Sequence, residues 1–216
     1  ALHLGIERAR AMGSATVALR NSAHVGRVGH WAEQCCAAGM VSVHFVNVGD
    51  HDPLQAPWGC SDGRLGTNPV AVGVPGADGQ PLFLLDMATS AIPYNRVLLY
   101  RSLGIELPGG VASDAAGQDT RDAMQAEMLA PLGGEFGFKG AALAGVAEIF
   151  SAVLSGMKLS FDIPPMGGPD FATPRGMGAF VLALKPEAFL DREAFEAGMT
   201  RYLDVLRQSP AREGCQ

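Results

Sequence analysis

Two short apolar runs, Ser14–Leu19 (SATVAL) and Met40–Val48 (MVSVHFVNV), bracket a segment with helical character. Runs of this length, rich in β-branched residues and bounded by glycine, read as buried strands. Between them, Arg20–Gly29 is a polar, glycine-containing turn, and Val28–Ala38 is a helix closed by Gly39. Strand, turn, helix, strand is a βαβ unit, whose strands run parallel through a right-handed crossover. This pattern constrains the chain to the α/β class. Further along, Pro69–Val74 and Pro81–Leu85 read as strands joined by the turn Gly76-Ala77-Asp78-Gly79, which is a hairpin signal. A parallel unit followed by a hairpin predicts a mixed sheet.

The remaining elements are helices and one late strand. Ala1–Met12 carries Leu2, Ile6 and Ala9 on one face and ends at Gly13; no capping residue precedes it, so the helix is read as starting upstream. Asp86–Ser90 leaves its strand and enters a helix through about Leu103. Ala141–Ser155 is apolar on nearly every face and predicts a central, buried helix. Ala179–Leu184 is the last strand, and Arg192–Leu206 a final amphipathic helix. The expected architecture is one body, residues 1–216, with a mixed sheet flanked by helices.

Composition narrows the function classes. With 48% hydrophobic and 18% charged residues, the 216-residue chain is too apolar for disorder and long enough to bury a core without staples. Its net charge of −6, with no run of Lys and Arg, argues against nucleic acid as a partner. No apolar stretch reaches about 18 residues, so no membrane span is expected. With no secretory leader visible, the expected location is the cytoplasm. Cys35, Cys36, Cys60 and Cys215 form no C-x-x-C pair, which indicates neither a zinc ribbon nor a disulfide framework; Cys35 and Cys36 are read as core. Gly is abundant, at 28 residues without period, and clusters where strands meet helices.

Three segments could carry chemistry. Asn21-Ser22-Ala23-His24-Val25-Gly26 lies where the first strand gives way to its helix, the end at which α/β sheets bind ligands. An imidazole there can exchange a proton with a carbonyl or hydroxyl oxygen. The alternative is a histidine that caps a helix or bonds the backbone. Asp86-Met87-Ala88-Thr89-Ser90 puts a carboxylate and two hydroxyls at a strand end, either to bind a ribose or amide or to cap a helix. Gly133-Gly134-Glu135-Phe136-Gly137-Phe138-Lys139-Gly140 opens a helix with free N–H groups and a lysine, which suits an anion such as pyrophosphate. It is neither a Walker A loop nor a Rossmann turn, and close helix packing is its competing explanation. Leu65-Gly66-Thr67-Asn68-Pro69 is turn chemistry first. His51 and Asp52 lack metal-ligand spacing with His24, so no metal is expected.

The order of these motifs is more specific than any one of them. Asn-Ser-x-His-x-Gly at 21–26, Ala56-Pro57-Trp58-Gly59, Leu65-Gly66-Thr67-Asn68-Pro69, Leu85-Asp86-Met87-Ala88-Thr89-Ser90 and Pro131-Leu132-Gly133-Gly134 through Lys139-Gly140 follow one another. The chain resembles the malate/L-lactate dehydrogenase family of NAD(P)-dependent 2-hydroxyacid oxidoreductases. That family also holds ureidoglycolate, sulfolactate and diketogulonate enzymes and cyclic-imine reductases. The resemblance runs from Ala1 to about Arg207.

It implies a non-Rossmann NAD(P)-binding α/β fold, with NAD or NADP as cofactor, and a homodimer whose active site is shared between subunits. It implies a small 2-oxo acid, 2-hydroxy acid or cyclic imine as substrate. By position, His24 matches the family's proton donor/acceptor. Asp86, Met87 and Ala88, with Thr89 and Ser90 beside them, match a cofactor-contacting strand end, and Phe138, Lys139 and Gly140 a second cofactor contact. Arg20, Asn68 and Arg96 are the candidates for the substrate carboxylate. The family's N-terminal Ser-His-Gly motif and its C-terminal Pro-Gly-Glu or Pro-Gly-Asp contact are not in the sequence, which therefore reads as the body of a longer enzyme. Val48 stands where many relatives carry a small polar residue. A catalytically inactive nucleotide-binding relative, serving as a structural partner, is the alternative from a different functional class.

Overall fold

The computed structural model describes residues 1–48, 54–164 and 172–214. His51, Asp52 and Cys215, and parts of the loops at 50–62 and 160–175, lie outside the described residues. The chain runs α1 (Leu2–Met12), β1 (Ser14–Ser22), α2 (Val28–Ala37), β2 (Val41–Val46), β3 (Val70–Pro75), β4 (Pro81–Met87), α3 (Tyr94–Leu103), β5 (Ala112–Ser113), β6 (Met128–Leu129), α4 (Phe138–Glu148), β7 (Met177–Leu184) and α5 (Arg192–Arg207). Gly13, at φ +87°, terminates α1 in the left-handed region, as its position predicts.

Five strands form the main sheet, in the order β1-β7-β2-β3-β4. The α/β class, with helices flanking the sheet, is the one expected, but the pairing is not. All four ladders of this sheet are antiparallel rather than mixed. The first and second strands do point the same way, as a βαβ unit requires. The last strand of the chain, β7, lies between them and runs opposite to both, from Ser14↔Leu184 on one side to Val41↔Leu184 on the other. The β3–β4 hairpin is present as predicted.

Alternation along β2 shows how the sheet is covered. Ser42, His44 and Val46 are buried, and α1 and α2 pack on their side, where Ile6, Ala9, Cys35, Met40 and Ala183 form one core cluster. Phe45 points the other way, stacked on Phe150 at a centroid distance of 5.1 Å, with Phe180 against the same ring at 4.9 Å. Phe150 belongs to a π-helical turn, Ile149–Val153, that extends α4. The apolar segment after Gly140 is therefore not buried all round: Gly140, Ala144 and Ala147 face inward, while Ile149, Val153 and Leu154 are exposed. A separate small core, including Val97, Leu107, Ala126 and Leu129, joins α3 to the β5–β6 ribbon.

One boundary moves in a way that matters for function. The segment 86–90 does not enter a helix. Strand β4 continues to Met87, Ser90 bridges to Pro131, and α3 begins only after Pro93. Proline fixes φ and disfavours a helical residue before it, so α3 starts at Tyr94.

Candidate active site

Because β1, β2 and β4 run one way and β3 and β7 the other, three strands end and two begin at the same edge of the sheet. A cavity of about 140 Å³ opens there. Every strand of the sheet reaches it: His24 follows β1, Val48 follows β2, Thr67 precedes β3, Ala88 follows β4, and Met177 opens β7. Tyr94 and Asn95, in the first turn of α3, close one side.

His24 is aimed by local backbone chemistry. The β1–β7 register slips between Leu19 and Ser22, and Asn21 takes φ +54°, a left-handed conformation that asparagine tolerates. Bulges of this kind re-aim side chains at strand ends. Two residues beyond His24, Gly26 (φ +75°) turns its N–H back to donate to His24 Nδ1 at 3.1 Å. That bond makes Nδ1 an acceptor, so a neutral ring carries its hydrogen on Nε2. His24 is exposed at the rim of the cavity.

The strand-end motif divides between lining and support. Ala88 lines the cavity, next to half-buried Met87. Asp86 instead accepts the Gly29 N–H at 2.8 Å, so its carboxylate caps α2 across 57 residues of sequence. Thr89 is fully buried; its N–H and its hydroxyl both donate to the Thr67 carbonyl, at 2.9 and 3.0 Å. Ser90 donates its hydroxyl to the Ile92 carbonyl at 2.8 Å. None of the three caps the helix that follows, α3, whose N-cap is Pro93: Asp86 caps the earlier α2, and Thr89 and Ser90 bond backbone carbonyls.

Of the candidates for the substrate carboxylate, Asn68 is placed elsewhere. It is fully buried; its Oδ1 accepts the Val48 N–H, and its Nδ2 donates to the Ala144 carbonyl and to Glu148 Oε2. Glu148 also accepts the N–H of Ser160 at 2.5 Å and its hydroxyl at 2.7 Å. The network ties the loops ahead of β3 to α4; it holds the lining residue Val48 by its N–H, while Asn68 itself does not line the cavity. Arg20 is exposed on β1, with its guanidinium near Gly156, away from the lining. Arg96 is exposed in the first turn of α3, directly after the lining residue Asn95. Sequence reasoning missed Tyr94 and Asn95. The available signal was Pro93, which starts a helix at the strand end.

The glycine-rich loop sits to one side. Gly133 (φ +122°) and Gly134 (φ +55°) adopt backbone that other residues resist, and α4 begins at Phe138 with no side-chain cap. Its first N–H groups and the Lys139 ammonium make the positive end of a helix. The Lys139 ammonium stands 5.3 Å from the Phe136 ring centroid and 5.9 Å from that of Phe138. Gly140 is buried against the Leu132 backbone, where a Cβ would come within 2.2 Å of the carbonyl oxygen, so this residue serves packing. Leu132 N–H in turn donates to the Thr89 carbonyl, which fastens the loop to the strand end.

Among the described residues, no three His, Cys, Asp or Glu side chains converge as a metal site would need, and no helix is long and apolar enough to cross a membrane.

A sheet whose five strands all reach one cavity, beside an uncapped glycine-led helix, defines a non-Rossmann α/β protein with its candidate site at the sheet edge. The family model described as malate/L-lactate dehydrogenase matches residues 1–216, and the chain belongs to that family. It is 45% identical over 174 residues to hydroxycarboxylate dehydrogenase B of Escherichia coli, an alignment covering 79% of this chain and 47% of the relative. It is 35% identical over 216 residues to malate dehydrogenase of Pyrococcus abyssi, covering 97% and 57%. The solved structure of sulfolactate dehydrogenase from Methanocaldococcus jannaschii superposes with a TM-score of 0.87 at 31% identity, covering all of this chain and 60% of that one. The chain thus spans about half the length of the curated relatives it matches.

Proposed function

We propose that the chain is the catalytic body, residues 1–216, of an NAD(P)-dependent oxidoreductase acting at C2 of a small 2-oxo acid, 2-hydroxy acid or cyclic imine, with His24 as proton donor/acceptor. The observation that carries this reading is the meeting of His24 and Ala88 at one cavity reached by every strand of the sheet. The chemistry of the loops suits a dinucleotide: an uncapped helix N-terminus with Lys139 favours its phosphates, and Met87–Ala88 present a strand end to it. When bound, the nicotinamide supplies or accepts the hydride.

His24 handles the proton. Its Nδ1 is engaged by Gly26, so the exchange with the substrate oxygen or imine nitrogen passes through Nε2. Tyr94, Asn95 and the uncapped start of α3 offer donors to a substrate carboxylate, with Arg96 adjacent in sequence. The apolar residues Ile149, Val153 and Leu154, exposed on one helical segment, support a homodimer. A cytoplasmic location belongs to the same reading.

The test is spectroscopic. The protein is mixed with NADH or NADPH and pyruvate, oxaloacetate or a cyclic imine, and nicotinamide absorbance is followed. His24→Ala should lower turnover by about 10²–10⁴-fold while cofactor affinity is kept. Unchanged turnover in that variant removes His24 from the mechanism. The alternative from a different functional class is a nucleotide-binding structural partner without turnover. Cofactor binding with no oxidation on any of these substrates would select it.

A further inference from the structure

The bulge that aims His24 is held by a side chain from a distant part of the sequence. The register slip leaves Arg20 and Asn21 without a partner on β7. Gly178, which stands between the paired residues Met177 and Ala179, turns its N–H to Asn47 Oδ1 at 3.1 Å instead. The Asn21 N–H donates to Met157 Sδ at 3.0 Å, across 136 residues of sequence. That sulfur is itself fixed in place. Met157 follows the π-helical segment, and its own N–H donates to the Ala152 carbonyl at 2.9 Å. Beside it, the Lys158 N–H donates to the Gly176 carbonyl at 3.1 Å, and the Lys158 carbonyl accepts from Asn47 Nδ2 at 2.7 Å. Asn47 is fully buried and precedes the cavity-lining Val48. Gly178 also makes room for the methionine, since a Cβ there would stand 3.1 Å from Met157 Cγ. At the other end of the bulge, the Ser22 hydroxyl donates to the Met177 carbonyl at 3.1 Å.

We infer that Met157 is a positioning residue for the proton step: its thioether holds the Asn21 bulge in the conformation that turns His24 toward the cavity. The inference rests on the proposed function. A bulge survives where its unpaired N–H has an acceptor. Without one, β1 can recover a regular register, and a slip by one residue sends each later side chain to the other face, His24 among them. A thioether is a weak acceptor, but it is polarizable and sits on a long side chain that fits an irregular gap. Met157 is half-buried and does not line the cavity, so it acts on the imidazole only through the backbone of β1.

Two variants separate the acceptor from the packing. Met157→Leu keeps apolar bulk and cannot accept a hydrogen bond; Met157→Gln keeps the length, gives up apolar contact and offers an amide oxygen. Met157→Leu should lower turnover about tenfold, inside the roughly hundredfold that a misplaced catalytic group can cost, with KM and cofactor affinity within about twofold of wild type. Met157→Gln should recover most of the turnover. Nitrogen-15 spectra of the His24 ring read the aim of the imidazole directly. Wild type and Met157→Gln should show the tautomer with hydrogen on Nε2 and Nδ1 accepting, and Met157→Leu a mixture of tautomers. Hydrogen exchange at the Asn21 amide should quicken in Met157→Leu and not in Met157→Gln. The opposite order, with Met157→Leu matching wild type and Met157→Gln falling below it, assigns the residue to packing and overturns the inference. Equal values for the two variants overturn it as well. If wild type oxidises no nicotinamide with any of the substrates, the proposed function fails, while the ring spectra and Asn21 exchange still decide whether Met157 holds the bulge.

Discussion

Replacing His44 with leucine should change how stability depends on pH. His44 sits on β2, only 2% exposed, with Nε2 at 2.9 Å from the Ser42 hydroxyl. Desolvation holds its pKa down to about 4, against 6.5 for a free imidazole. In the unfolded chain the ring takes up a proton as pH falls through about 6.5; in the folded protein it stays neutral until about 4. Within that window the unfolded state binds more protons, so stability falls as pH falls. Between pH 7.5 and 4.5 the linkage amounts to about 2.5 kcal/mol, most of it lost below pH 6.

His44→Leu lacks that group. At pH 7.5 the variant should be less stable than wild type, by about 1 kcal/mol for the lost hydrogen bond. At pH 4.5 the order should reverse, with the gap shifted by about 2.5 kcal/mol in favour of leucine. Urea unfolding at both pH values, followed by the emission of Trp31, which lines the same apolar cavity as His44, reads the difference. Carboxylates titrate alike in both proteins and cancel in the comparison. A gap that stays constant with pH would refute the claim that burial keeps this imidazole neutral.

Other substitutions probe the frame of the site. Asn68→Ala removes a donor from buried Glu148 and should cost about 2–3 kcal/mol by denaturant unfolding, with the largest loss of hydrogen-exchange protection at Val48 and Ser160. Gly140→Ala forces a Cβ toward the Leu132 carbonyl and should destabilise by about 1–3 kcal/mol, seen as a lower midpoint in urea. Asp86→Ala removes the carboxylate that receives the Gly29 N–H and should cost about 1 kcal/mol, read as a lower urea midpoint. Among the described cysteines, Cys60 should react with a thiol reagent in the native protein, while Cys35 and Cys36, buried and with thiol pKa values raised by desolvation (Cys36 to about 11), should react only after unfolding.

Much of the fold was legible because it is written locally. The strand at 14–19, the helix at 28–38, the 69–85 hairpin and the final amphipathic helix each carry a period and a terminator within a few residues, and all are present. The insertion of β7 between β1 and β2 was not legible, since its partners lie more than 130 residues away and alternation does not name a neighbour. Asn68 illustrates the same limit. Beside Pro69 it looks like a turn residue, yet its side chain is spent on Glu148, 80 positions further on. Asp86 carried a genuine capping signal, but the helix it caps is α2, which precedes it in the chain.

The motifs that mark the family are also the residues that hold one another in place. Thr67 receives Thr89, the Thr89 carbonyl receives Leu132, Gly140 makes room for Leu132, and Gly137 makes room for Trp58. In this chain of contacts only some members face a cavity, and buried Thr89 does not. Loss of activity on substitution at a motif position is therefore weak proof of contact with cofactor or substrate. The two roles separate when stability and affinity are measured together: a brace such as Thr89 should lose both, whereas a lining group such as His24, exposed and bonded to its own turn, should lose turnover at unchanged stability.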